Sequence, residues 1–222
     1  MHFVEMSPKL AAWQKSRLRK ALWHESLPEA LHACQGHALL VANELADAFP
    51  CRVFRRVDQQ WLELFITLQN GHAEEIWEAP ETGLPESGTF SEAWPEGQRI
   101  EVHESFFNWL AEWRNHWSEG RMVIIDYGSP APDLYHRRPG GTLRAYAHHQ
   151  RFEGRSLLDG FGRRDITADI NFSDLSACVT ALGLSAQPIK TLGQWIQDQG
   201  VAVKDPRLEE AAEAFKVLEF TP

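Results

Sequence analysis

Eight residues restrict this chain more than any others: Arg121 to Gly128, RMVIIDYG. Met122 to Ile125 are four consecutive apolar residues, and Asp126, Tyr127 and Gly128 follow at once. An apolar run without alternation predicts a strand covered on both faces, as in a parallel sheet, that delivers a carboxylate and a sharp turn at its carboxyl end. Open α/β sheets bind ligands at that end of their strands. A Gly/Pro-rich excursion comes next, and then GTLRAYAHH (141–149) and DITADINF (165–172) crowd ionisable groups into one stretch. Residues 129–172 therefore read as a segment covering a site.

Around that strand the chain alternates strand and helix. HFVE (2–5) is a strand ending in Glu5, and Ser7-Pro8 opens a helix with Leu10, Trp13, Leu18 and Ala21 inward. An acid placed so is either a surface group or, in nucleotide-type α/β folds, the acceptor of ribose hydroxyls. ALW (21–23) is a short strand, and Ala38–Ala42 within HALLVANELADAFP (37–50) is a second buried one. It ends in Asn43 and Glu44, with Asp47 just beyond. Such groups at a strand mouth are costly to desolvate unless they bind something, the alternative being helix N-capping by Asn43 or Asp47.

The pattern then switches to hairpins. RVFRRV (52–57), WLELFITL (61–68) and HAEEIW (72–77), with Asn70-Gly71 as a type I′ turn, form a β-meander inserted at about 51–78. Residues 79–99 lack periodicity and read as a loop. Ser105 and Ser173 are the expected caps of two helices, one carrying Phe106, Leu110, Trp113 and Trp117 and the other Leu175, Cys178, Val179 and Leu182. Thr191 starts a short helix, Asp205-Pro206 a last one, and FKVLEF (215–220) is a closing strand. The alternation gives one doubly wound α/β domain over 1–222. Strands near 2–5, 38–42, 122–126 and 215–220 are expected in one largely parallel sheet, the last free to run antiparallel, with Glu5, Glu44 and Asp126 converging at its carboxyl edge.

Composition removes several function classes. A net charge of −9 argues against general nucleic-acid binding, which needs cations facing phosphates, and favours a cationic partner. No run approaches the roughly 18 apolar residues of a membrane span. Cys34, Cys51 and Cys178 lack metal-ligand spacing, which fits a reduced, cytoplasmic interior. No metal site is expected from His103, His136, His148 and His149, because adjacent strand histidines point to opposite faces. Gly160-Phe161-Gly162 follows no strand and makes no dinucleotide fingerprint.

FVEMSP (3–8) with Gln14, VANELADAFP (41–50), Trp61, VIIDYG (123–128), GTLRAY (141–146) with His148, DITADINF (165–172) and FKVL (215–218) together resemble the MidA family of S-adenosylmethionine-dependent methyltransferases. That family includes the mitochondrial complex I assembly factor that methylates an arginine. The resemblance implies a Rossmann-like class I methyltransferase sheet, incomplete at its amino-terminal end, since the family's first strand and Gly-rich cofactor loop have no counterpart here. It implies S-adenosylmethionine as cofactor and, as partner, a protein with an accessible arginine, such as a respiratory complex I subunit. Glu44, seconded by Asp47, would grip the acceptor guanidinium, while Asn43 and Glu5 would hold the methionine and ribose ends of the cofactor. Asp126 and Tyr127 would line the acceptor side, with Arg144, Tyr146, His148, Asp165 and Thr167 as the covering wall. One departure is Asp169, where the family pattern leads us to expect His. The alternative is a truncated, non-catalytic remnant that serves as a protein-binding module. An uncovered sheet edge would favour homodimerisation or the docking of an amino-terminal fragment.

Overall fold

The computed structural model describes residues 1–148, 150–159, 162–201 and 211–222. It begins with a parallel two-stranded ribbon, β1 (His2–Val4) and β2 (Leu22–His24), joined by α1 (Pro8–Arg17). Ser7 caps α1 as expected, its hydroxyl accepting the N–H of Leu10. The expected inner face does not exist, because α1 buries no residue and Leu10 and Trp13 stay 51% and 56% exposed. Helix α2 (Leu27–Ala33) packs on both strands of the ribbon and sends Leu31 into the main core, which ties the ribbon to β3 (His37–Asn43).

The meander is β4 (Arg52–Val57), β5 (Gln60–Gln69) and β6 (His72–Glu78), and β7 (Arg99–Val102) extends it at the end of the loop. They form an antiparallel sheet in the order β6-β5-β4-β7. Asn70 and Gly71 both have positive φ, 51° and 80°, as a type I′ turn requires. Helix α3 (Glu104–Trp113) follows, and its N-cap is His103; the Ser105 hydroxyl instead donates to the Pro50 carbonyl at 2.5 Å. Trp117 lies beyond α3 yet packs in the same core as Phe106, Leu110 and Trp113.

The strand read first from the sequence, β8 (Glu119–Ser129), is central. β3 pairs with it in parallel, Leu40 opposite Met122 and Asn43 opposite Ile125. The covering segment holds β9 (Arg144–Ala147), β10 (Gln150–Phe152) and β11 (Asp165–Thr167) as a small antiparallel sheet, then β12 (Ile170–Asn171) returns beside Gly128 and Ser129 of β8. Helix α4 (Phe172–Ala181) is capped by Asn171, not Ser173, whose hydroxyl accepts the N–H of Ala131. β13 (Ser185–Ala186), β14 (Lys190–Thr191) and α5 (Leu192–Asp198) precede β15 (Phe215–Thr221), which runs antiparallel to β8. The helix expected from Asp205-Pro206 lies outside the described residues, as do His149, Gly160 and Phe161.

One sheet expectation is corrected. The strand at 2–5 does not join β3, β8 and β15: β1 pairs with β2, and the outer edge of β3 has no partner among the described residues. β3 is likewise buried on one face only. Leu40 and Ala42 pack into the core, while Leu39 and Val41 are 72% and 67% exposed. No described helix is long and apolar enough to cross a membrane.

Candidate active site

The site grows from the ends of β3 and β8. Asp126 is fully buried on β8, its Oδ2 accepting the N–H groups of Ala46 (2.9 Å) and Asp47 (3.3 Å) and its Oδ1 that of Tyr127 (2.9 Å). It therefore clamps the turn after β3 and lines no accessible acceptor surface, which corrects its expected role. Burial first and the nearby Asp47 second push its carboxyl up to about 7, against the three backbone donors.

That clamp shapes the turn carrying the acids. Glu44 sits at φ 49°, a left-handed conformation that costs a non-glycine residue on the order of 1 kcal/mol and concentrates at functional sites. Its N–H donates to the Ile125 carbonyl (3.0 Å), and its exposed carboxylate accepts from Asn43 Nδ2 (3.2 Å). Asp47 Oδ2 accepts the Thr167 hydroxyl at 2.6 Å, and its carbonyl accepts the Ala168 N–H, stitching the covering segment to the turn. Tyr127 packs at a tilt against Phe215 with centroids 4.0 Å apart, and burial, then Glu44 and Tyr146, raise its phenol. Arg144 is buried, with its guanidinium 5.8 and 5.9 Å from the Tyr127 and Tyr146 rings and its Nε donating to the Tyr146 hydroxyl (3.1 Å). Asp169 holds Arg144 and Arg138 together as an ion-paired triad.

The structure thus gathers Asn43, Glu44, Asp47, Asp126, Tyr127, Arg144, Tyr146 and Thr167. Glu5 bonds locally, its carboxylate accepting the Ser7 N–H (2.8 Å) and Gln14 Nε2 (3.2 Å) beside α1. His148 stands exposed in the β9–β10 turn at φ 49°, and exposed Asp165 lies opposite Tyr146 on β11. Sequence reasoning missed Glu101 and Arg138, and saw Asp169 only as a departure; a carboxylate inside the apolar strand RIEV was the available signal for Glu101. Beside the cluster, a cavity of about 290 Å³ is lined by Tyr127, Asp133, Arg138, Asp169 and Lys216, among others. No three His, Cys, Asp or Glu among the described residues are arranged to hold a metal ion.

This mixed α/β fold is shared with two crystal structures from Burkholderia thailandensis. One, a superfamily member assigned as a methyl transferase and bound to S-adenosylhomocysteine, has a TM-score of 0.76 at 22% identity, covering 100% of this chain and 63% of that one. The other, a native crystal of an uncharacterised superfamily protein, has a TM-score of 0.75 at 21% identity, covering 100% and 66%. A family model of S-adenosyl-L-methionine-dependent methyltransferases matches residues 1–190, and the chain belongs to that family. The protein arginine methyltransferase NDUFAF7 homolog, mitochondrial, of Drosophila melanogaster is 26% identical over 204 residues, which is 78% of this chain. The chain spans 44% of that curated relative's length. S-adenosylmethionine is thus the cofactor of its family, and the exposed Asn43 amide at the end of β3 has the donor and acceptor atoms to fit the polar amino-acid end of such a cofactor.

Proposed function

We propose that this chain carries the acceptor side of a protein-arginine methyltransferase of the MidA type, on an incomplete Rossmann-like sheet. The observation behind this reading is the meeting of Glu44, Asp47, Tyr127, Arg144, Tyr146 and Thr167 at the ends of β3 and β8. S-adenosylmethionine supplies a methyl group on a sulfonium. The chain's task is to hold an acceptor nitrogen in line with it, and most of the acceleration in such a transfer comes from that positioning. An arginine guanidinium stays protonated, with a pKa above about 12, so it has to be oriented as a cation. Glu44 would grip its fork and localise charge on the far nitrogens, with Asp47, fixed by Thr167, as the second carboxylate. Asn43 would meet the methionine end of the cofactor. Glu5 would take the ribose after releasing Ser7 and Gln14.

A respiratory complex I subunit is the acceptor we infer from the MidA resemblance, the Drosophila relative's name supporting a protein arginine as the target, in a reducing compartment where the three free cysteines persist. The uncovered β3 edge and the exposed Leu10, Trp13, Leu39 and Val41 favour completion by an amino-terminal segment or a second copy. The competing reading, a binding module without catalysis, draws on the way α1 occupies the Glu5 carboxylate. Titration with S-adenosylhomocysteine separates the two. The 222-residue chain should bind it weakly or undetectably alone, and a fusion to the amino-terminal part of the Burkholderia relative should restore binding. In that fusion Glu44→Gln should abolish arginine methylation and leave cofactor binding nearly intact. Loss of both together removes the grip role from Glu44, and a fusion that never binds favours the binding module.

A further inference from the structure

Outside the acidic cluster, the most complete polar construction in the molecule is centred on Glu101 of β7, a carboxylate only 1% exposed. Oε1 accepts the N–H groups of Thr142 (2.9 Å) and Leu143 (3.3 Å), and Oε2 accepts the Thr142 hydroxyl (2.9 Å). The Tyr135 hydroxyl bonds the Glu101 backbone twice, accepting from its N–H (3.0 Å) and donating to its carbonyl (3.1 Å). Gly141 passes so close that a Cβ there would stand 2.1 Å from Oε1, and its φ is 78°. The chain from 141 to 143 is therefore folded around this carboxylate.

The direction of one hydrogen bond extends its reach. The Thr142 hydroxyl donates to Glu101 and accepts from the Asp169 N–H at 3.0 Å. Asp169 in turn ion-pairs with Arg144 and Arg138, and Arg144 holds the Tyr146 hydroxyl. A continuous path thus runs from the meander sheet to the wall that faces Glu44 and Asp47. With an acceptor at Oε2 the hydroxyl has one orientation available. An amide there would face it with a second donor and leave its own proton without a partner.

We propose that Glu101 is a positioning residue, which from the meander sets the Arg144–Tyr146 wall of the acceptor site through Thr142 and Asp169. The function assigned to that wall rests on the reading above; the linkage itself rests on the geometry. The chain holds three tyrosines, Tyr127, Tyr135 and Tyr146, so a 3-fluorotyrosine-labelled sample gives three resonances that report the two ends of the path separately. Thr142→Val keeps the side-chain shape and removes the relay, while Thr142→Ser keeps the hydroxyl. We expect Thr142→Val and Glu101→Gln to move the Tyr146 resonance, with Thr142→Ser at the wild-type position. A Gly-Arg-Gly probe peptide should bind about tenfold more weakly to Thr142→Val, as loss of one hydrogen bond tied to a charged network suggests. If only Tyr135 responds in Thr142→Val while Tyr146 stays in place, Glu101 braces the fold locally and the proposal is wrong. A wild-type chain blind to the peptide, whose Tyr146 still responds to Thr142→Val, overturns the acceptor reading and supports the linkage.

Discussion

On the β3 side of the sheet Leu39 and Val41 lie 72% and 67% exposed, whereas on the covering side Glu101 and Asp169 are 1% and 8% exposed. The first region leaves apolar groups in water and the second removes charged groups from it. Each apolar side chain left out forgoes about 1.5–3 kcal/mol of burial, and the region is held by the pairing of β3 with β8, by Leu40 and Ala42 in the core, and by Leu31 of α2. The second bears the desolvation of its carboxylates by satisfying them with backbone N–H groups, hydroxyls and two guanidiniums. Covering the first region should add stability, while any change in the second should be costly.

Gly141→Ala tests that contrast where the effect should be largest. The new methyl would displace a carboxylate that accepts three hydrogen bonds, at a φ that alanine tolerates poorly. Urea unfolding should show a loss of about 4 kcal/mol. A loss under about 1 kcal/mol would mean that the 141–143 segment rearranges freely and the polar side is not self-consistent.

Asp126 gives a smaller, pH-resolved effect. Its folded carboxyl is pushed up to about 7 from an ordinary 3.8, so the folded state holds a proton that the unfolded chain releases. The stabilisation from that proton is fully present below about pH 4 and is lost as pH rises through about 7. Measured as wild type minus Asp126→Asn, stability should fall across that window by up to about 1 kcal/mol per pH unit and level off above it. A difference that is flat from pH 4 to 8 would show that the backbone donors at Ala46, Asp47 and Tyr127 outweigh burial.

Legibility in the sequence follows the same division. The β8 strand, the hairpin at Asn70-Gly71 and the closing strand were readable because period and turn chemistry are local, while the antiparallel orientation of the last was left open. Two of the caps were not readable: Ser105 and Ser173 have the right side chains, but tertiary partners at Pro50 and Ala131 engage their hydroxyls, whereas Ser7 and Thr191 cap as read. The acids at the strand ends were readable as a set, yet Asp126 spends Oδ2 on backbone 80 and 79 residues away. Glu101 escaped notice because its partners at Thr142 and Leu143 lie 41 and 42 residues along the chain. The inner face read for α1 was not legible either: the helix buries none of its residues, and Leu10 and Trp13 stand on a surface left uncovered.

The smallest expected effect is the sharpest test of that last point. Leu39 and Val41 alternate with Leu40 and Ala42 on β3, so neighbouring substitutions sample water on one face and core on the other. Leu40→Ala should cost about 2–4 kcal/mol, as deletion of packed methyl groups does. Leu39→Thr together with Val41→Thr should change stability by less than about 0.5 kcal/mol, because both sites are already solvated and threonine suits a strand. The double variant should at the same time reduce self-association in sedimentation velocity, since an uncovered apolar edge is a template for pairing. In the amino-terminal fusion the same two changes should cost more than about 1 kcal/mol, because there the face is expected to be covered. Equal, small costs in both contexts would mean that nothing packs on β3 in the completed protein, and the contrast between the two regions would then reflect a solvated strand rather than a surface built for a partner.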